Sequence, residues 1–414
     1  MKNNFGPEES IFVALDIGTK KVCALVGQLN ETQNMRILGV GIVPAKGMRK
    51  GGVVDLDSVA HSIADAKEKA ERTSGFEIES AIVNLSGGHV ASLNSTGMTG
   101  VSGRAIGPDD VGRALDAARS IAIPYDREVL HVIPRGFVID GQDGIKDAIG
   151  MHGYRLEVEA HIVTAGSTAR RNVEKCVEAA GVIVDGWVLS SLAAGELVLT
   201  ETEREMGVVI CDIGAGTTDL AIYIEGAVWQ SASIPVGGDH LTSDIAQGLH
   251  LPLETAEKIK LSHGYATKAA VDPDQALTVR PFGSDRAVQI HRTELASIIE
   301  ARIDELFSLV RQEIKRSGYD GLLPAGVVLT GGSSKLPGIR ELAGRVLQLP
   351  IRIAQPDSLI GLVDKLKEPN FSTSLGILLW ARRQELDTME SYAAGWPIFD
   401  IRKATSFLKR LLPG

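Results

Sequence analysis

The sequence predicts an α/β fold made of two similar halves that face each other across a bound nucleotide. Three observations predict it. An apolar strand, a Gly-rich turn and a second strand occupy residues 207–223, a second copy of this pattern occupies residues 11–26, and a third apolar strand runs into a Gly-Gly turn within residues 325–339. Each pattern alone is weak, but their order and spacing indicate duplicated sheet-and-helix domains with one shared site.

The pattern at 207–223 predicts a phosphate-binding hairpin. Its apolar strand ends at Asp212, and the turn and second strand begin with Gly214, Ala215, Gly216, Thr217 and Thr218. Glycines allow positive φ and a close approach of backbone N–H groups to phosphate oxygens, and the threonine hydroxyls add donors. Mg²⁺ keeps several waters and takes few carboxylates, so Asp212 is expected to hold it through its water shell.

The pattern at 11–26 repeats this hairpin with Asp16, Gly18, Thr19 and Lys20. A single Asp-x-Gly turn is typical of a simple hairpin, whereas two distant copies favour a site with one carboxylate, Asp16 or Asp212, from each side. The chain has no Gly-x-x-x-x-Gly-Lys-Ser/Thr sequence, which excludes a P-loop.

The third element is the strand and turn that contain Gly331, Gly332 and Ser333, followed by a helix predicted to begin near Pro337. The two glycines leave room for a base or ribose against bare backbone. Together the three elements resemble the phosphate and adenosine motifs of the actin, heat-shock-chaperone and sugar-kinase superfamily. The resemblance implies an actin-like, ribonuclease H-like fold that binds ATP or ADP with Mg²⁺.

Two further groups follow from this resemblance. The turn at Gly237 and Gly238 is expected to close on the phosphates, and Glu257 and Lys260, three apart on one helix face, are expected to hold the ribose and base. A solvated helix face of alternating charge is the alternative for the second pair. Ser190 stands where related filament-forming actins have a carboxylate that positions water, and the nearest acid, Glu196, falls on a later turn. Hydrolysis is therefore expected to be weak or absent, and the catalytic residues are unknown.

Length and composition set the broad class. A chain of 414 residues exceeds one usual core, and 44% hydrophobic and 23% charged residues are those of a soluble globular protein. The net charge of −9 argues against nucleic-acid binding. Three cysteines in apolar contexts suggest neither a disulfide scaffold nor a metal site, and no signal peptide or membrane span is predicted.

Residues 86–163 are punctuated by glycines and predict a small inserted α+β subdomain. The text at 133–141 and 150–158 is similar to the inserted domain of the bacterial cell-division FtsA family, and the resemblance runs from residue 10 to 380. It implies a protein that polymerises and tethers the tubulin-like FtsZ at the division septum. The FtsZ C-terminal peptide is expected at 239–302, with Arg292 and Arg302 as basic contacts, and other division proteins at the insert.

The predicted organisation has six parts, named by the subdomain labels of the family. They are the first lobe, 1A (1–85 with 164–193), the insert, 1C (86–163), the base of the second lobe, 2A (194–238 with 303–381), its upper subdomain, 2B (239–302), a flexible linker (382–396) and an amphipathic helix (397–414).

The last part predicts a membrane anchor. One face of the helix is apolar and the other is basic, the key residues being Ile401, Phe407, Leu408, Leu411 and Leu412 with Lys409 and Arg410. Such a helix is typical of an anchor on an anionic membrane surface, here the cytoplasmic face. A terminal helix docked on the body is the alternative. Two rival functions remain, a sugar or acetate kinase and an actin-like pilus-assembly scaffold ATPase, against which the insert text and the basic tail argue.

Overall fold

The computed structural model describes residues 10–29, 34–283, 286–356, 360–361 and 366–393. The predicted membrane helix, 397–414, lies outside these residues. The first half opens with antiparallel strands, because alternating apolar runs there are separated by short turns. Its elements are β1 (Ile11–Ile17), β2 (Lys21–Leu29), β3 (Met35–Pro44), the short ribbon β4 (Met48–Arg49) and β5 (Gly52–Val53), helix α1 (Leu56–Ser74) and β6 (Ser80–Leu85).

Helix α1 begins and ends as its sequence predicts. The Asp55 carboxylate accepts a hydrogen bond from the Ser58 N–H, which satisfies one of the unpaired donors at the N-terminus. Gly75 follows the helix at φ 75°, a left-handed conformation that glycine adopts without strain.

The insert forms a sheet of its own. Its elements are β7 (Val90–Gly100), α2 (Pro108–Arg119), β8 (Arg127–Ile139), β9 (Gln142–Ile145) and β10 (Arg155–Gly166), with the strand order β7-β10-β8-β9. Leu156, Val158 and Phe137 belong to its separate buried core. The insert is therefore a packed unit, as predicted from its glycine-punctuated pattern.

The chain then returns to the first half and crosses to the second. The connecting elements are α3 (Ser167–Ala179), β11 (Ile183–Leu189), α4 (Ser190–Val198) and α5 (Glu201–Met206). The second half contains β12 (Val208–Ile213), β13 (Thr218–Ile224), β14 (Ala227–Ile234), α6 (Gly238–Gly248), α7 (Leu253–His263), β15 (Ala276–Val279), β16 (Val288–His291), α8 (Arg292–Arg316), β17 (Val327–Thr330), α9 (Ile339–Leu347) and β18 (Ile351–Ile353). The chain then returns to the first sheet as β19 (Ile360–Gly361) and ends its described part in α10 (Ser372–Ala393).

The two halves share one topology. The first sheet has the order β11-β6-β1-β2-β3-β19, and the second has the order β18-β17-β12-β13-β14. In each, the strand that ends at the predicted aspartate pairs antiparallel with the next strand and parallel with a later one, β6 for β1 and β17 for β12. The duplication predicted from the two hairpins is confirmed.

Helices α4 and α10 pack between the two sheets. Leu192 and Leu375 are buried in a core that also includes residues of both sheets. The helices approach closely at Gly376, where an added Cβ would lie 1.9 Å from the Ala193 carbonyl oxygen. The first turn of α10 is thereby held near the ends of β1 and β12.

Two predicted boundaries differ from the structure. Helix α10 continues to Ala393, so the first part of the segment predicted as a linker, 382–396, is helical. The boundary predicted between residues 302 and 303 falls inside α8, which is continuous from Arg292 to Arg316.

None of the described helices contains an apolar stretch of membrane-spanning length.

Candidate functional site

A cavity of about 580 Å³ lies between the two halves. It brings together most of the predicted site residues, namely Asp16, Gly18, Thr19, Lys20, Asp212, Gly214, Ala215, Gly216, Thr217, Gly238, Glu257, Lys260, Gly331, Gly332 and Ser333. Residues far apart in sequence therefore line one space.

The two hairpin turns have the same backbone geometry. The Gly18 N–H donates to the Lys21 carbonyl at 2.9 Å, and the Gly214 N–H donates to the Thr217 carbonyl at the same distance. The tips nearly touch, since an added Cβ at Gly216 would lie 2.4 Å from Thr19 Oγ1. Gly216 is thus required by close approach between the halves.

The positive φ expected at the hairpin glycines is not observed. Of the glycines predicted for the site, Gly331 alone has a positive φ, 84°. An added Cβ at Gly331 would lie 2.3 Å from Asp212 Oδ1. The need for glycine at that turn therefore has two causes, a left-handed backbone and the neighbouring carboxylate.

Two predicted residues do not line the cavity. The Thr218 hydroxyl donates to the Val236 carbonyl at 2.8 Å, because successive side chains on a strand point to opposite faces and Thr217 takes the cavity side. Gly237 precedes α6, and the next two N–H groups donate to the Gly214 and Ala215 carbonyls. That turn braces the second hairpin.

Glu257 and Lys260 form an ion pair on α7, with 2.8 Å between Lys260 Nζ and Glu257 Oε2. Lys260 also donates to the Gly238 carbonyl at 3.0 Å and to the Thr242 hydroxyl at 2.8 Å. Only 10% of the Lys260 side chain is exposed. The alternative of a solvated helix face is therefore wrong for this pair, which faces the cavity.

The two predicted carboxylates have different partners. Asp16 accepts from Lys21 at 2.7 Å, from Asn84 at 3.1 Å and from the Ser374 hydroxyl. Asp212 accepts from the Thr373 hydroxyl at 2.5 Å. Burial raises the pKa of Asp212 to about 7, and the neighbouring Asp219 and Asp16 charges add to that increase while the Thr373 hydrogen bond opposes it.

Lys20, a predicted ligand, lines the cavity but pairs with Asp239 of α6 at 3.0 Å and is 58% exposed. The neighbouring Lys21, which the sequence reasoning missed, is less exposed, at 23%, and joins Lys260 as a largely buried lysine of the cleft. Strand alternation could have found it, since Lys21 is the first residue of β2 and Lys20 lies in the turn.

Asp219 is a second missed residue. It lines the cavity one strand position beyond Thr218, and its Oδ2 accepts from the Thr217 hydroxyl at 3.1 Å. Burial raises the pKa of Asp219 to about 6, while hydrogen bonds from Ser233, Ser86 and Thr217 oppose the increase. The cavity therefore has a buried carboxylate other than the two predicted ones.

Ser190, expected from the sequence in place of a carboxylate that positions water, lines the cavity. The Ser190 hydroxyl lines the cavity, donates to the Leu85 carbonyl at 3.3 Å and accepts from Asn84 at 3.1 Å. Glu196 instead pairs with Arg204 at 3.4 Å and Arg383 at 2.6 Å. Glu196 is thus an ion-pair residue at the base of the halves.

The third turn offers a surface for a flat group. An added Cβ at Gly332 would meet only Asn370 Cβ, at 3.6 Å, an ordinary contact distance, so the backbone there is not crowded. Asn370 also lines the cavity, and its buried Oδ1 has no hydrogen-bond partner in the described part of the chain. An open glycine surface, an unsatisfied amide oxygen and facing Gly-rich turns fit a nucleotide, and Asp212 fits a hydrated Mg²⁺.

Comparisons with known proteins agree with this architecture. A family model described as "Cell division protein FtsA" matches residues 209–376, and one described as "SHS2 domain inserted in FTSA" matches residues 87–164. The chain is 42% identical to "Cell division protein FtsA" of Pseudomonas aeruginosa, over 93% of this chain and 92% of that protein. It is 38% identical to the Escherichia coli K12 protein of the same name, over 92% of each.

Solved structures with the same fold include the "PilM-PilN type IV pilus biogenesis complex", at a TM-score of 0.65 and 17% identity over 89% of this chain and 98% of that one. MreB5 of Spiroplasma citri bound to ADP has a TM-score of 0.52 and 17% identity over 94% of this chain and 99% of its own. These likenesses show the actin-like fold, and the sequence matches identify the chain as a member of the FtsA family of cell-division proteins.

Proposed function

We propose that this chain binds ATP or ADP with Mg²⁺ between its halves and polymerises. In the same proposal it tethers the FtsZ ring to the inner face of the cytoplasmic membrane at the septum. The observation that carries the nucleotide part is the pair of facing hairpins on one cavity. Solved neighbours support it, since MreB5 of Spiroplasma citri is bound to ADP in one structure and to AMPPNP in another.

Asp212 is the residue proposed to hold Mg²⁺ through water. The cation would offset phosphate charge, and the chain's own groups would orient the nucleotide. The hairpin backbones would face the phosphates, Glu257 and Lys260 the ribose, and Gly332 with Asn370 the base.

Hydrolysis is expected to be slow. Ser190 has no acidic group to accept a proton, and positioned acid–base groups contribute about 10²–10⁴ in rate. Asp219 lines the cavity but is held by the Thr217 hydroxyl. From a typical turnover of about 10 s⁻¹, the expected rate is roughly 10⁻¹ to 10⁻³ s⁻¹.

The FtsZ C-terminal peptide is proposed to bind at 239–302, and other division proteins at the insert, 86–163. The expected basic contacts need correction. Arg302 pairs with Asp244 at 2.5 Å, and Arg292 donates to the His263 carbonyl at 2.8 Å. The charge of Arg302 is therefore paired within the fold, whereas the partner of Arg292 is a neutral oxygen, so Arg292 remains a basic candidate contact. The exposed apolar Leu253, Leu261 and Phe282 are further candidates.

The pilus-scaffold alternative shares the fold but has less support. The pilus complex is 17% identical to this chain, against 42% for the Pseudomonas aeruginosa FtsA. A sugar or acetate kinase needs a catalytic carboxylate where this chain has Ser190.

A bulky residue at Gly332 tests nucleotide binding. Gly332 lines the cavity, and an added Cβ there would meet only Asn370 Cβ at an ordinary 3.6 Å, so Gly332→Trp should fill the proposed base site with little strain on the fold. Calorimetry should show at least a tenfold loss of ATP affinity. Gly112→Trp, at an exposed helix position with nothing within 4 Å of an added Cβ, is the matched control. Equal ATP affinity in both variants would exclude this cavity as the nucleotide site.

The proposed anchor is tested with vesicles. Phe407→Glu places a charge in the apolar face of 397–414, where burial of a Phe contributes about 1.5–3 kcal/mol. It should release the chain from anionic vesicles in co-sedimentation while ATP affinity stays unchanged. Lys409→Ser with Arg410→Ser should weaken binding mainly at low salt. Full vesicle binding by a chain ending at Gly395 would favour the docked-helix alternative.

A further inference from the structure

Lys21 is a buried cation at the centre of the cleft. Its Nζ donates to Asp16 Oδ2 at 2.7 Å and to the Ser374 hydroxyl at 3.0 Å, and it lies 4.9 Å from the centroid of the Phe371 ring. The side chain is 23% exposed, and it lines the cavity. Lys21 therefore contacts the first-lobe carboxylate from inside the site.

Its partner Asp16 is already well supplied with donors. Asp16 Oδ1 accepts from Asn84 at 3.1 Å, and Oδ2 accepts from Lys21 and from the Ser374 hydroxyl. Little of this carboxylate is left to order the water shell of a metal. The sequence had assigned equal metal roles to Asp16 and Asp212, and the structure separates them.

Asp212 forms no such ion pair, although the charge of Lys21 also acts on it. Its Oδ2 accepts from the Thr373 hydroxyl, and no ion pair involves Asp212 in the part of the chain that the structure describes. A triphosphate adds several negative charges to a cleft that already holds Asp16, Asp212 and Asp219. Buried charge without a counter-charge is costly, so each side of the cleft needs a cation.

We propose that Lys21 is the resident cation of the phosphate site. It neutralises the Asp16 side, while Mg²⁺ is required only at Asp212. Nucleotide binding therefore keeps a component that does not depend on metal. This inference rests on the proposed binding of ATP. Lys21 acts by positioning Asp16 and by its charge toward the phosphates.

The test compares ATP affinity in Mg²⁺ and in EDTA by calorimetry. The wild-type chain should bind in both, with about tenfold weaker binding in EDTA. A hydrogen bond to a charged group corresponds to about 10- to 100-fold in affinity. Lys21→Met should therefore lose about that much more in EDTA than in Mg²⁺. Lys21→Arg should restore binding in EDTA. The control is Lys146→Met, which removes a lysine paired with a carboxylate, Glu205, at the same 2.7 Å but outside the cavity, and which should behave as wild type in both buffers.

Three outcomes would overturn the inference. If wild type binds ATP in Mg²⁺ but not in EDTA, Lys21 does not replace metal charge, although the proposed function stands. An equal loss in both buffers for Lys21→Met would make Lys21 a structural residue. No ATP binding in either buffer would overturn the proposed function as well.

A second substitution, Asp16→Asn, guards against misfolding of the Lys21→Met variant. Lys21→Met leaves Asp16 without its cation, so Lys21→Met with Asp16→Asn removes both charges and keeps the neutral hydrogen bonds possible. The double variant has no Asp16 charge to neutralise, so it should bind ATP in EDTA more tightly than Lys21→Met does. A folded double variant that bound ATP no better in EDTA than Lys21→Met would contradict the role of Lys21.

Discussion

The two hairpins share the same backbone hydrogen bond but differ in the charged groups around their aspartates. Both turns close with the same hydrogen bond, from Gly18 to Lys21 and from Gly214 to Thr217, at 2.9 Å. The residue that closes the turn is a lysine in the first hairpin and a threonine in the second. The aspartate of the first hairpin is paired with the ammonium group of that lysine. The Thr217 hydroxyl instead donates to Asp219, and Asp212 accepts from the Thr373 hydroxyl of α10.

This difference shows that the function of a repeated motif depends on one side chain at the turn. Burial lowers the pKa of Lys21, but the Asp16 charge and hydrogen bond outweigh it, and the net pKa is raised. Burial raises the pKa of Asp212 to about 7, although the Thr373 hydrogen bond and the Lys21 charge oppose the increase. The first carboxylate belongs to an ion pair, and the second changes its charge near neutral pH.

The largest expected effect comes from breaking the ion pair of the first hairpin. Asp16→Asn leaves the Lys21 ammonium buried without its carboxylate. Removal of one partner of a buried pair costs about 3–5 kcal/mol, and the partial exposure of Lys21 places this case near 3. Urea unfolding of the nucleotide-free variant measures it. A decrease of less than about 1 kcal/mol in the free energy of unfolding would mean that water already solvates the Lys21 ammonium group.

The corresponding substitution in the second hairpin, Asp212→Asn, should raise the free energy of unfolding at high pH instead of lowering it. The folded chain binds a proton on Asp212 as pH falls through about 7, whereas the unfolded chain does so near 3.8. The stability that protonation contributes is therefore full below about pH 4 and lost as pH rises through 7. Between pH 5 and 8 the loss is roughly 2–3 kcal/mol.

Asp212→Asn should remove this pH dependence and stabilise the nucleotide-free protein at pH 8. Urea unfolding at both pH values checks it, with Asp57→Asn, on the exposed surface of α1, as the control. The same slope in wild type and Asp212→Asn would assign the titration to another group, of which Asp219 is the first candidate.

The elements of the fold could be predicted because their signals are local. Apolar strand, aspartate, glycine and hydroxyl residues follow one another within each hairpin, and α9 begins at Ile339, two residues after the predicted start near Pro337. Strand alternation could also have shown that Thr218 points away from the cavity and that Lys21 lies beside Asp16. The hydroxyl partners of the aspartates could not be found locally. Thr373 and Ser374 reach them from α10, whose place between the sheets is set by tertiary packing.

The smallest effects are expected from alanine substitutions at the third position of each turn. This position is Lys20 in the first hairpin and Gly216 in the second. An added Cβ at Gly216 would lie 2.4 Å from Thr19 Oγ1 and 3.0 Å from the Lys50 Cα, so Gly216→Ala forces the tips apart. Overpacking of this kind costs about 1–3 kcal/mol, and it should also weaken nucleotide binding. Lys20→Ala removes only an exposed ion pair with Asp239, which contributes about 0.2–1 kcal/mol. Urea unfolding and ATP calorimetry on the two alanine variants measure the difference. If Lys20→Ala proved the more damaging, the contact between the tips would depend on the Lys20–Asp239 pair across the cleft, and the close approach at Gly216 would be secondary.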